Sequence, residues 1–151
     1  MDEVRKVDTG ARTVTRQVVV NARAEELFAM LADPRRHGEV DGSGTVLSGV
    51  RGPDRLSEGA EFSTAMRMHG FPYRITSRVT AFEDGRLIEW RHPMGHHWRW
   101  TFEEHDGRTT VTETFDYTAA RSPKVLELLK MPALNAKGIK ATLAGLRDRY
   151  N

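Results

Sequence analysis

Two alternating segments, 88–103 and 108–118, constrain the fold of this chain more than any other part of it. In the first, Ile88, Trp90 and His92 fall on one side, and after a turn His96, Trp98, Trp100 and Phe102 do the same. In the second, Val111, Glu113, Phe115 and Tyr117 share one side, while Thr110, Thr112, Thr114 and Asp116 share the other. Successive strand side chains point to opposite faces, so each row belongs to one face of a sheet. All three tryptophans of the chain fall in the aromatic row, and Glu113 stands among them. A long helical segment follows and is placed to cover that face. An aromatic wall beneath a helix makes either a solid core or a pocket, and three tryptophans in one row point to a pocket.

The remaining sequence reads around that sheet. Thr13–Val20 is rich in β-branched residues and predicts a strand. Asn21 can cap a helix in which Ala24, Leu27, Phe28 and Leu31 form an apolar stripe. Asp33-Pro34 ends it and can open a second short helix, and 38–44 reads as a glycine-rich loop. Turn signals then recur at Gly52-Pro53-Asp54, Glu58-Gly59, Gly70-Phe71-Pro72, Asp84-Gly85, Pro93-Met94-Gly95 and Asp106-Gly107. They separate six strands at 45–51, 60–69, 73–82, 86–92, 96–104 and 108–118, which pair as an antiparallel meander. Ser122-Pro123 starts a helix, Met131-Pro132 breaks or kinks it, and from Asn135 onward Ile139, Leu143, Leu146 and Tyr150 make an amphipathic face. Gly138, Ala141, Thr142 and Gly145 form a small-residue stripe beside it, suited to close packing.

A chain of 151 residues suffices for one domain with a real core, here 13–151, preceded by a flexible tail at 1–12. Hydrophobic content of 38% with 29% charged residues belongs to a soluble globular protein. The formal charge is only +2 and basic residues are interleaved with acids, which argues against a nucleic-acid partner. The chain has no cysteine, which excludes disulfides, thiolate nucleophiles and Cys-ligated metals. The charged residues 1–10 have no apolar core of a secretory signal, and no run of about 18 apolar residues is present. These observations predict a cytoplasmic protein, monomer or homodimer, without stable membrane insertion.

The element order, a strand, one or two short helices, six antiparallel strands and a long C-terminal helix, resembles the helix-grip architecture of the START/Bet v 1-like (SRPBCC) superfamily. The stretches VVVNARAEELFAMLADPRRHGEVDGSG, GAEFSTAMRMHGFPYR and GRLIEWRHPMGHHWRWTFEEHDGRTTVTETFDY are similar to its bacterial polyketide cyclase/dehydrase branch. The resemblance spans residues 13–150. It implies an α+β fold: a curved antiparallel seven-stranded sheet wrapped around the C-terminal helix, with a cavity between them. The superfamily contains lipid carriers, hormone binders and aromatase/cyclases, so fold alone does not choose an activity.

Within that frame Glu113 is the best candidate for acid–base chemistry, because a carboxyl on an apolar face is desolvated and its pKa rises. A salt bridge to an arginine, or a register that exposes this face, is the structural alternative. Trp90, Trp98, Trp100, Phe102, Phe115 and Tyr117 can stack on a planar or lipid-like ligand, or simply fill the core. Met66 and Met68 share a face with Phe62 and Thr64 and suit an adaptable wall, and Tyr73 and Ile75 point the same way. His92, His96 and His97 cluster around a turn, with His96 at the mouth of the cavity, but no HExxH or Cys/His pattern accompanies them and no metal or other cofactor is expected. There is no GxSxG elbow, and Gly42-Ser43-Gly44 lacks the lysine of a phosphate loop. Arg35-Arg36-His37 and the Arg147/Arg149 pair read as solvated helix surface.

The expected function is binding of a hydrophobic or aromatic small molecule, lipid- or polyketide-like, between sheet and C-terminal helix. The expected contacts are Met66, Met68, Tyr73, Ile75, Trp90, His96, Trp98, Trp100, Glu113, Phe115 and Tyr117. The Pro132 break and the 38–44 loop are candidate gates. A cyclase or dehydratase using Glu113 with Tyr73 or His96, and a protein-interaction or regulatory module, are the alternatives.

Overall fold

Side-chain alternation and turn chemistry settle most of the architecture. The computed structural model of the chain describes residues 3–42 and 50–151 and, of Met68, the backbone alone. Its elements are β1 (Arg5–Val7), β2 (Thr13–Val20), α1 (Ala24–Ala32), a 3₁₀ turn (Pro34–Arg36), α2 (His37–Val40), β3 (Glu61–Met68), β4 (Phe71–Glu83), β5 (Leu87–Arg91), β6 (His97–His105), β7 (Arg108–Asp116), α3 (Pro123–Leu128) and α4 (Met131–Arg149). The strands form one seven-stranded antiparallel sheet in the order β1-β2-β7-β6-β5-β4-β3. Helix α4 lies over β2 and β7, and α1 packs against β6. This is the expected α+β helix-grip arrangement.

The hairpins follow from residues that accept a left-handed backbone. Asp106 and Gly107 have φ of 52° and 75°, and His69 and Gly70 have 49° and 81°, so two-residue turns match the twist of the strands they join. Gly95 is demanded twice over, by its φ of 97° and because a Cβ there would stand 2.7 Å from the Ala119 carbonyl oxygen. A register shift between Val79 and Ala81 interrupts the pairing of β4 with β5.

Several boundaries differ from the sequence reading. Residues 1–12 are not simply a tail: Arg5–Val7 pairs with β2, and Thr9 bonds Thr13 and Thr15 at 2.6 and 2.7 Å. The strand expected at 45–51 falls largely outside the described residues, leaving Arg51 in an isolated bridge to Ser63. Helix α1 is capped at Arg23 rather than Asn21, and its first N–H, that of Ala24, is held by the Glu104 carboxylate from β6 at 2.8 Å. Asp33 does cap the following turn, accepting from the Arg35 N–H at 3.0 Å. The 38–44 stretch is helical at its start, in α2. Pro132 does not break a helix but sits in the first turn of α4, where its missing N–H costs nothing. The break falls at Lys130, with φ of 59°.

Cross-strand register sorts the two faces. Val14, Val18, Phe115, Val111, Trp98, Trp100 and Phe102 share the face beneath α4 and α1. The opposite face carries polar links across strands: Thr15 to Thr114 at 2.9 Å, Gln17 to Thr112 at 3.0 Å, and Arg99 to both Glu89 and Asp116.

Candidate functional site: the concave face of the sheet

The site candidates occupy adjacent rows of one face. Trp90 of β5, Trp98 of β6, Phe115 of β7 and Val14 of β2 form one cross-strand row, and Ile88, Trp100, Glu113 and Arg16 form the next. Toward the other edge Met66 faces Tyr73, Thr64 faces Ile75, and the backbone of Met68 pairs with Phe71. Alternation therefore put Met66, Tyr73, Ile75, Trp90, Trp98, Trp100, Glu113 and Phe115 on a common face. Met68 shares their register, but its side chain lies outside the described residues.

The face is not uniformly filled. Trp100, Phe102, Phe115 and Tyr117 are buried, with Trp100 stacked on Phe102 and Phe115 on Tyr117. Trp90 and Trp98 are half-buried, as are Met66 and Ile75, while Tyr73 is 36% and Phe71 76% exposed. A groove of about 420 Å³ runs between β1–β2 and the start of α4, lined by Lys6, Val14, Arg16, Pro132, Ala133 and Ala136 among others. None of the residues expected to bind ligand lines it.

Glu113 is buried at 7% exposure, and its Oε1 has no hydrogen-bond partner among the described residues. The arginine opposite, Arg16, instead donates to the Thr15 carbonyl at 2.9 Å. Burial pushes the Glu113 pKa well above the usual carboxylate range, and the nearby Asp41 carboxylate pushes it further. Burial thus favours the neutral carboxylic acid over the carboxylate at this position. Asp41 is brought close by a clamp on α4. The Gly42 N–H donates to Thr142 Oγ1 at 2.8 Å, and a Cβ on Gly42 would stand 2.6 Å from the Thr142 nitrogen.

His96 is the second buried polar group on this face. It is 9% exposed, its Nδ1 lacks a partner among the described residues, and its ring stacks on His92 at 4.2 Å and meets Phe115 edge-on at 5.1 Å. Burial first, then the neighbouring His92 and His97, depress its pKa to about 3, so the ring is neutral. Among the described residues no group of three His, Asp or Glu side chains could hold a metal ion.

Sequence reasoning assigned His37 to solvent, and the structure corrects this. His37 is buried, donates Nε2–H to the Leu31 carbonyl at 2.7 Å, stacks on Trp90 at 5.0 Å and meets Phe62 edge-on. Burial lowers its pKa against the pull of that hydrogen bond. Asp41 and Thr142 were likewise not singled out for chemistry. The small-residue stripe containing Ala141 and Thr142 was the available signal, since a close approach is what such a stripe permits.

Comparison with known proteins now bears on this geometry. The sequence profile described as "Polyketide cyclase / dehydrase and lipid transport" matches residues 11–151. The chain belongs to that family. It is 52% identical to the uncharacterized protein Rv0088 of Mycobacterium tuberculosis, across 99% of this chain and 69% of that protein. A solution structure of a protein from Arthrobacter aurescens superposes with a TM-score of 0.72 at 17% identity, covering 97% of this chain and 91% of that one. The Polyketide_cyc-like protein Cgl2372 from Corynebacterium glutamicum superposes with a TM-score of 0.64 at 18% identity, covering 93% and 91%. Membership of this family and fold points to hydrophobic ligands. No helix among the described residues is long and apolar enough to cross a membrane.

Proposed function

We propose that this member of the family binds an elongated, uncharged hydrophobic molecule, lipid- or polyketide-like, along the concave face between sheet and α4. The observation that carries the reading is the buried Glu113 oxygen, without a partner among the described residues and set amid aromatic side chains. In its neutral form the Glu113 carboxyl donates to a ketone, ester or ether oxygen, whereas an anionic head would meet the same desolvation that raises the Glu113 pKa. His96 stands four residues further along the sheet, opposite the position of Tyr117, or about 13 Å at strand spacing. Between the two polar stops lie Trp98 and Phe115, in a tilted contact of 5.0 Å. An apolar strip with hydrogen-bonding groups at its ends suits a long ligand with separated oxygens. The Gly42–Thr142 hydrogen bond, which holds the residues just after α2 on α4, is the proposed gate.

Native mass spectrometry of the purified protein, compared with its denatured mass, tests the reading. A released small-molecule adduct supports it. An empty protein whose tryptophan fluorescence is unmoved by neutral aromatic and acyl ligands overturns it.

The raised Glu113 pKa also favours a second reading, a cyclase or dehydratase in which Glu113 acts as general acid. Tyr73 is no partner for it: the residue lies three strands away, about 14 Å across the sheet, and further along it. In this reading Glu113→Gln abolishes turnover while ligand affinity stays within about threefold.

A further inference from the structure

The apolar residues that the fold leaves uncovered are concentrated at one end. Val125, Leu128, Leu129 and Leu134 are 49%, 80%, 60% and 59% exposed, all on α3 and the first turns of α4. Val125, Leu128 and Leu129 stand at helical spacing on one side of α3, and Lys130, with φ of 59°, turns the chain sharply into α4. Leu128 and Leu129 thereby stand at the corner between the two helices. Met94, 47% exposed, adjoins the start of α3, because its carbonyl accepts the Arg121 N–H at 3.0 Å.

Charge selects the partner. The chain has five lysines, and four of them, Lys124, Lys130, Lys137 and Lys140, fall in this segment, all exposed. The fifth, Lys6, lines the groove beside Pro132, Ala133 and Ala136 of the same helix. From Arg121 to Lys140 there are five basic residues against one acid, Glu127, in a chain whose total is +2, so the remainder is net negative. Glu127 is itself engaged by the Tyr117 hydroxyl at 3.1 Å and Arg12 at 3.9 Å.

We propose that α3 and the first turns of α4 form a reversible docking surface for an anionic lipid bilayer. The leucines at the corner between α3 and α4 enter the headgroup–acyl boundary while the lysines, with flexible four-carbon stems, reach the phosphates around them. A second copy of the chain is a poorer occupant, because a two-fold contact would set the lysine cluster against itself. The proposal is independent of what fills the concave face.

Flotation of the full chain with extruded vesicles tests it. Binding is expected to phosphatidylcholine containing about one third phosphatidylglycerol and not to phosphatidylcholine alone, and to weaken as salt rises from 0.1 to 0.5 M. Lys124→Gln with Lys130→Gln should lower the partition coefficient roughly thirtyfold. Leu128→Ser with Leu129→Ser should lower it about tenfold or more. All four positions are exposed, and unchanged thermal melting of the variants verifies that they fold. No binding by the wild-type chain, or equal binding by both double variants, overturns the proposal. So does a concentration-dependent dimer in sedimentation velocity that the leucine changes abolish without any vesicle association.

Discussion

The concave face has two halves built from the same kinds of side chain and finished differently. Beneath α1, Phe28 meets Phe82 and Phe102 edge-on at 5.3 and 5.7 Å, and Leu27, Leu31, Ile88 and Phe102 are all but inaccessible. Toward the β3–β4 hairpin, Met66 and Ile75 are half-buried, and Tyr73 and Phe71 face solvent. Glu113 and His96 lie between these regimes, each with a polar atom that no described residue satisfies. A packed half anchors the fold, and an open half leaves apolar side chains accessible, so on the proposed reading stability and binding are separated on one sheet.

The sharpest way to break this comparison is Phe102→Ala. It should cost about 3–5 kcal/mol through lost burial and an unfilled cavity, lowering the melting temperature by roughly 10 °C. Urea denaturation checks it, and a cost below about 1 kcal/mol would mean that the two halves are packed alike.

Glu113→Gln follows. Because burial raises the folded-state pKa of Glu113 above its unfolded value, the native state holds a proton that the unfolded state releases. Wild-type stability should therefore fall as pH climbs from the ordinary carboxylate range toward that raised value, and this part of the slope should vanish in the amide. His96 works in the opposite sense. Its folded pKa of about 3 lies below the unfolded value, so its contribution is present at neutral pH and lost as pH falls from about 6.5 toward 3. In His96→Gln the acid limb of the stability profile should flatten, as read by chemical denaturation at pH 4, 5.5 and 7.

Smaller effects sharpen the functional side. Thr142→Val removes the acceptor for the Gly42 N–H and should cost about 1 kcal/mol while speeding ligand exchange in stopped-flow fluorescence. Ile75→Ala should change stability least, by less than about 1 kcal/mol because the side chain is already half in water, yet weaken ligand binding about fivefold or more. Equal affinity in the two proteins would remove the β3–β4 end from the site.

Much of this was legible in the chain because strand alternation is local. The period of two put eight candidate residues on one face, and Asp106-Gly107 specified its own tight turn through two positive φ angles. Element order and family likeness led to the same helix-grip sheet. What alternation does not encode is cover. Whether a side chain on the concave face is sealed or open depends on which distant segment lies over it, and so on contacts between residues far apart in sequence. His37 reads as part of a charged surface run until α2 folds it onto Trp90. Ala24 lacks a local cap until Glu104 arrives from β6. Glu113 could have met an arginine, since Arg16 stands opposite it, and only the tertiary structure turns that guanidinium away from the acid to the Thr15 carbonyl. The sequence alone determined the sheet, its faces and its turns, because backbone geometry and solvent contrast act within a few residues. Tertiary packing decided which part of that face became core and which stayed open, because desolvation is a property of everything that surrounds a group.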